Sequence, residues 1–175
     1  MSIKPMKKST GGFTLVELLI VIVVIAILAS ISIVAYSGVQ ERTRDSLRKT
    51  DLAQLAKIIQ LYSIDNGDYA AAGCGNGSGS GWLHSDYDGT GPYKSINQCL
   101  IDAGHMQQPL RDPSGLNSCN NGADCHAYLK ASCAAGTFVM ANLETMPQDA
   151  TATDSACGFS SWDTAYGINY VVKVS

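Results

Sequence analysis

Hydrophobic positions change character three times along the chain. Residues 13–36 are apolar at nearly every step, interrupted only by Thr14, Glu17, Ser30 and Ser32. Residues 37–64 keep a helical period instead: Leu52, Leu55, Ala56, Ile59 and Tyr62 recur at three- and four-residue steps on one face, with Asp51, Gln54, Lys57 and Gln60 on the others. No proline falls between 13 and 64. The pattern therefore predicts one helix of about 50 residues, roughly 75 Å long, closed at "DNGDY" with Gly67 as its stop. Its first 24 or so residues would extend about 36 Å, enough to cross about 30 Å of hydrocarbon. The amphipathic second half needs a cover, and only the C-terminal portion can supply one.

Beyond residue 66 the pattern breaks into short runs. "AAAGCGNGSGSGW" (70–82) reads as loop and contains no phosphate-binding glycine pattern. Residues 93–107 predict a short helix with Ile96, Leu100 and Ile101 inward, and "PLRDPSG" (109–115) a turn. Strands are expected at 125–131, 136–144 and 166–174, from alternation at Phe138 and Met140 and the pair Tyr166 and Tyr170. The stretch between the last two reads as a loop tied at Cys157. The expected fold is α+β: a long N-terminal helix, half transmembrane and half amphipathic, packed against a small antiparallel sheet. The boundaries are a leader at 1–12, a membrane half at 13–36, an amphipathic half at 37–66 and a globular head at 67–175.

Charge adds direction. Lys4, Lys7 and Lys8 precede the apolar run with no acid among the first twelve residues, which keeps the N-terminus cytoplasmic and sends the rest outward. From Asp65 onward four bases face eleven acids, a net of −7. Such a head lacks the clustered cations that general nucleic-acid binding needs. The six cysteines, Cys74, Cys99, Cys119, Cys125, Cys133 and Cys157, all follow the apolar segment. Their even count on the outward side predicts disulfides in an oxidising compartment. Six cysteines allow 15 pairings; nearest-neighbour order gives Cys74–Cys99, Cys119–Cys125 and Cys133–Cys157.

Read by its residues, the apolar segment fits a cleaved secretory signal, a plain anchor, or a more specialised device. The first has too long a core here, although "AYS" at 35–37 would serve as a cleavage site. The second leaves Gly11-Gly12 and Glu17 without a purpose. An acid at mid-membrane depth costs about 2.5–3.5 kcal/mol or more. "GGFTLVELLIVIVVIAIL" resembles the class III signal of type IV prepilins and pseudopilins, closely over residues 7 to about 36 and loosely over the whole layout. The resemblance implies cleavage by a prepilin peptidase between Gly12 and Phe13, N-methylation of Phe13, and Glu17 as the family's glutamate, five residues into the mature chain. It also implies that the Cys133–Cys157 interval is the disulfide-bounded variable region. Many relatives place a proline near mature position 22, where this chain has Val34; Ser30, Ser32 and Gly38 are candidates for loosening the helix instead.

Cleavage would create a cationic amine on Phe13, one helical turn from Glu17. In a bundle, the amine of one copy can pair with Glu17 of its neighbour. An unpaired partner is costly in a low dielectric, so the pair enforces axial register more than it adds stability. The alternative is an interfacial carboxylate tolerated at a helix N-terminus.

Catalytic machinery is not expected. His84, His105 and His126 are scattered and no GxSxG occurs. Cys119, Cys125 and His126 fall short of a zinc set. Asp86 and Asp88 in "SDYDGTG" are weak calcium candidates. "DPSG" (112–115) resembles a segment of the calcium-binding major pseudopilins, without their adjoining aromatic. No cofactor is otherwise expected. The expected protein is a homopolymeric pilus-like subunit. Its expected partners are membrane lipid, the peptidase and an inner-membrane assembly platform, and it starts as a single-pass precursor and ends as a surface filament. A pseudopilin of type II secretion, or a membrane-anchored extracellular binding domain that does not polymerise, are the alternatives.

Overall fold

The structure is a computed structural model that describes residues 12–67, 73–76, 79–84, 93–116, 119, 125–148, 157–158 and 160–174. The chain divides into two compact units, 1–40 and 41–175.

Helix α1 runs Leu15–Asn66. It starts on a reciprocal cap. The Thr14 backbone N–H donates to Glu17 Oε2 at 2.8 Å, and the Glu17 N–H donates to Thr14 Oγ1 at 3.2 Å. This is the Thr-x-x-Glu capping box. The helix closes as expected at Gly67, which takes φ 75° and donates its N–H to Ser63 O at 2.8 Å. A left-handed residue after the last turn suits glycine, which has no Cβ to clash.

Within the first unit, the apolar side chains described from Phe13 to Ile33 stand exposed, Phe13 at 89% and Leu15 at 80%. By length and composition α1 is apolar enough to cross a membrane. The hydroxyls in this stretch do not break the helix. Ser30 and Ser32 donate back to the carbonyls of Ala26 and Leu28, each at 2.8 Å, which satisfies them internally.

In the second unit, β1 (Gly81–Trp82), β2 (Leu129–Cys133), β3 (Gly136–Ala141) and β4 (Tyr170–Lys173) form an antiparallel sheet in that order. β2 and β3 make a hairpin in register Leu129↔Met140, and β3 pairs β4 with Val139↔Val172. Helix α2 (Ile96–Asp102) is capped by Ser95, whose hydroxyl accepts from Gln98 N–H. The inner face of the sheet meets the predicted helical stripe. Leu52, Leu55 and Ile59 are sealed against Val139, Ala141, Tyr128 and Leu100, with Tyr62 partly buried at the edge. Each such side chain contributes about 1.5–3 kcal/mol on burial.

Three expectations change. The strands are shorter, because residues 125–128 and 142–144 leave the ladder. Strand β1 was read as loop. The stretch expected as a loop contains helix α3 (Ser160–Tyr166), so Tyr166 ends a helix and does not begin a strand. The physical reason is a second core. Phe138 and Met140 alternate with Val139 and Ala141, so they point to the outer face, where Leu129, Ala131 and Ile168 join them under Trp82, Trp162 and Tyr166. Trp82 and Tyr166 meet edge to face at 5.0 Å between centroids. β3 is thus covered on both faces, and α3 is the outer cover.

The disulfides are Cys74–Cys99, Cys119–Cys125 and Cys133–Cys157. The first ties the segment after α1 to α2. The last ties the end of β2 to the segment before α3.

Candidate assembly site

Gly12 and Phe13 are exposed and precede the helix in non-helical backbone. The bond between them therefore lies outside the helical hydrogen-bond ladder. Nothing lies within 4 Å of where a Gly12 Cβ would stand. Thr14 follows as the cap, and its hydroxyl also donates to Glu17 Oε2, at 2.7 Å. Two donors from Thr14 thus converge on one carboxylate oxygen, and Oε1 accepts no bond among the described residues. A carboxylate has about four lone-pair sites, so Glu17 has capacity left for a further donor. Cutting after Gly12 would place that donor's chemical type, an amine, one residue before the cap.

Apart from Thr14, the described side chains that adjoin Glu17 along the helix are apolar and uncovered. Val16, Leu18, Leu19 and Ile20 are all more than half exposed. The site is one carboxylate, one exposed peptide bond and a continuous apolar helix surface.

The head holds a second polar constellation that the sequence reading missed. Arg48 is fully buried on α1. Its Nε donates to Asp112 Oδ2 at 2.6 Å, and its Nη1 donates to Glu144 at 2.6 Å and Asp45 at 2.9 Å. Asp45 also accepts the backbone N–H groups of Glu144 and Thr145, at 2.9 and 2.7 Å. Arg44 adds two bonds to Glu144, its Nε at 2.7 Å. Helix α1 is thereby bolted to the loops at 112 and 144. Burial alone would depress the Arg48 guanidinium, but the carboxylates of Asp112, Glu144 and Asp45 outweigh it and push it up. The bonds from Arg44, then those from Arg48, hold Glu144 down at about 2. Burial tends to raise Asp45, yet the Thr145 hydroxyl and the two N–H groups bring it below the usual range. Burial, then the bond to Asp51 at 2.7 Å, raises the Tyr128 phenol.

A readable signal existed. Asp45 and Arg48 continue the stripe of Leu52, Leu55 and Ile59 at the same three- and four-residue steps, so charges there had to be buried and paired.

Of the calcium candidates, Asp86 and Asp88 lie outside the described residues. Asp112 of "DPSG" is already committed: its oxygens take Arg48 and the Ser114 N–H and hydroxyl. Among the described residues no group of three His, Cys, Asp or Glu side chains is placed to hold a metal ion.

Comparison with known proteins meets the same end of the chain. The prokaryotic N-terminal methylation motif matches residues 7–33. The type IV wide pilus major component PilA4 of Thermus thermophilus is 39% identical over 64 residues, 37% of this chain and 49% of that protein. Type II secretion system core protein G of Vibrio cholerae is 36% identical over 66 residues, 38% of this chain and 44% of that protein. Protein G of Escherichia coli is 34% identical over 58 residues, 33% and 40%. No solved structure gives a significant match. Over rather more than a third of its length the chain is thus similar to a type IV pilus component and to type II secretion core proteins, and it carries the N-terminal methylation motif. It spans about half the length, or less, of these curated relatives.

Proposed function

We propose that this chain is a non-catalytic structural subunit of a type IV pilus-like filament. In this reading it is inserted as a precursor with its N-terminus in the cytoplasm. A prepilin peptidase cuts between Gly12 and Phe13, and the new amine is methylated. An inner-membrane platform then lifts the subunit out of lipid and into a surface polymer.

One observation carries the reading: a capped helix whose apolar side chains are uncovered from Phe13 to Ile33, with a single carboxylate, Glu17, near its start. Lipid can cover that surface before assembly, and the same surface of other copies can cover it afterwards. Glu17 supports the second stage. One of its oxygens is satisfied by Thr14, and the other is open to the amine of an adjoining copy. Displacement by one turn would leave a charge unpaired in an apolar bundle, so the pair sets the axial step.

The pseudopilin reading has its own support, since core proteins G of type II secretion systems are among the relatives. The two readings share processing and differ in the product. Mass spectrometry of the mature chain should find methylated Phe13 at its N-terminus; a chain beginning at Met1 overturns both. Glu17→Ala should abolish surface filaments if the product is a pilus. Retention of exported enzymes in the periplasm of that variant, with no wild-type filament to lose, would assign the chain to secretion.

A further inference from the structure

A polar cleft of about 430 Å³ opens in the head beside the start of its part of α1. Glu41 forms one wall; His126, Asn142, Met146 and Gln148 are among the others. Its volume falls within the roughly 300–1,000 Å³ of ligand pockets. Two of its groups are uncommitted. Glu41 is half-buried, and among the described residues it makes no hydrogen bond or ion pair. His126 Nδ1 lies 2.8 Å from the Asn142 carbonyl oxygen. A carbonyl can only accept, so Nδ1 carries the hydrogen, which leaves Nε2 as an acceptor whenever the ring is uncharged.

The surroundings fix the sign. Three carboxylates, Asp45, Asp112 and Glu144, face two guanidinium groups, Arg44 and Arg48, a net of −1 that Glu41 makes −2. The cleft is anionic and rich in acceptors. A guanidinium, with five N–H donors in a plane, suits it better than a point-like ammonium.

The chain carries such a group on the next face. Arg42 is exposed, and among the described residues it makes no hydrogen bond or ion pair. It directly follows Glu41, so the two side chains leave α1 at one level, about 100° apart. One face offers acceptors and the adjoining face the donor. Two copies could exchange these groups about a two-fold axis, but along a polymer the donor face of one copy meets the acceptor face of the next, and that heterologous contact repeats. We propose that the cleft around Glu41 and His126 receives the Arg42 guanidinium of a neighbouring copy, as a lateral contact of the polymer. The inference rests on the reading that the chain polymerises.

The test uses the full chain in cells, with sheared filaments and total subunit both quantified. Glu41→Arg and Arg42→Glu should each lower filament yield about tenfold with the subunit level unchanged, and the double variant should recover most of it. A second measurement does not depend on that recovery. Filaments of Arg42→Lys treated with a zero-length carbodiimide should yield covalent dimers. The carboxyl of Glu41, activated by the carbodiimide, would form an amide with the amine at position 42 of another chain, with net loss of water. Wild-type yield in both single variants, or dimers joined through Lys57, overturns the proposal while leaving the pilus reading intact. Wild-type cells that assemble no polymer at all overturn both.

Discussion

Helix α1 is read twice by its surroundings. From Leu15 to Ile33 its apolar side chains are exposed, whereas Leu52, Leu55 and Ile59 on the same element are sealed to 1% or less. Composition alone does not separate the two stretches, since leucine and isoleucine serve both. What separates them is where the cover comes from. The second stretch is polar on its remaining faces and is covered by its own sheet. The first is apolar all round, and among the described residues nothing covers it. On the proposed reading, one stretch encodes folding and the other encodes association.

The sharpest break in this comparison is at Arg48. If the head is a sealed core, removing this cation leaves Asp112 and Asp45 buried without their charge partner, while Glu144 keeps Arg44. Arg48→Met should destabilise the head by about 3–5 kcal/mol, the usual effect of breaking a buried ion pair. Thermal unfolding of the full chain in detergent, followed by near-ultraviolet circular dichroism, would measure it. A loss under about 1 kcal/mol would mean that water reaches Arg48 and Asp112, against their zero exposure.

Leu55→Ala comes next. Its side chain is fully buried, and truncation there should remove about 2–5 kcal/mol, the transfer term plus the residual cavity. The same melt detects it as a lower midpoint, with filament yield falling because less folded subunit is available.

Acid should act through the same network more gently. Glu144 is held at about 2 against an ordinary 4.5, and Asp45 is also depressed. The unfolded chain therefore binds more protons between those values, and stability rises with pH across that window. It is fully present above about pH 4.5 and is lost as pH falls toward 2, with Glu144 contributing on the order of 2–3 kcal/mol. Denaturant midpoints at pH 6 and pH 3 should differ accordingly, and Glu144→Gln should flatten the difference.

Much of this was legible in the chain. The extent of α1, its stop at Gly67, the stripe at Leu52, Leu55 and Ile59 and the hairpin strands all follow from period and punctuation, which are local. The nearest-neighbour pairing of the cysteines agrees with the structure because each bridge closes a short segment. What escaped is non-local. Helix α3 is only seven residues long, too short for a period to show. Its existence depends on an outer sheet face that needed covering, which Phe138 and Met140 could announce only once their direction was known. Arg48 and Asp45 sat in plain view on the apolar stripe, but Asp112 and Glu144 reach them from 64 and 96 residues away from Arg48.

The smallest stability effect should come from the same leucine-to-alanine change that is costly inside the core. Leu19 is just over half exposed on the uncovered part of α1. Leu19→Ala should leave the head's melting unchanged within about 0.5 kcal/mol, as for surface positions generally. It should nevertheless reduce filament yield, because the groups it deletes pack against another helix only when another copy arrives, and close packing is what favours helix–helix contact over contact with lipid. Leucine-to-alanine at 19 and at 55 therefore swaps its readout: one change appears in assembly and not in the melt, the other chiefly in the melt. Equal effects on the melt would mean that residues 15–33 find their cover within the chain, and the division of α1 into a folding stretch and an association stretch would fail.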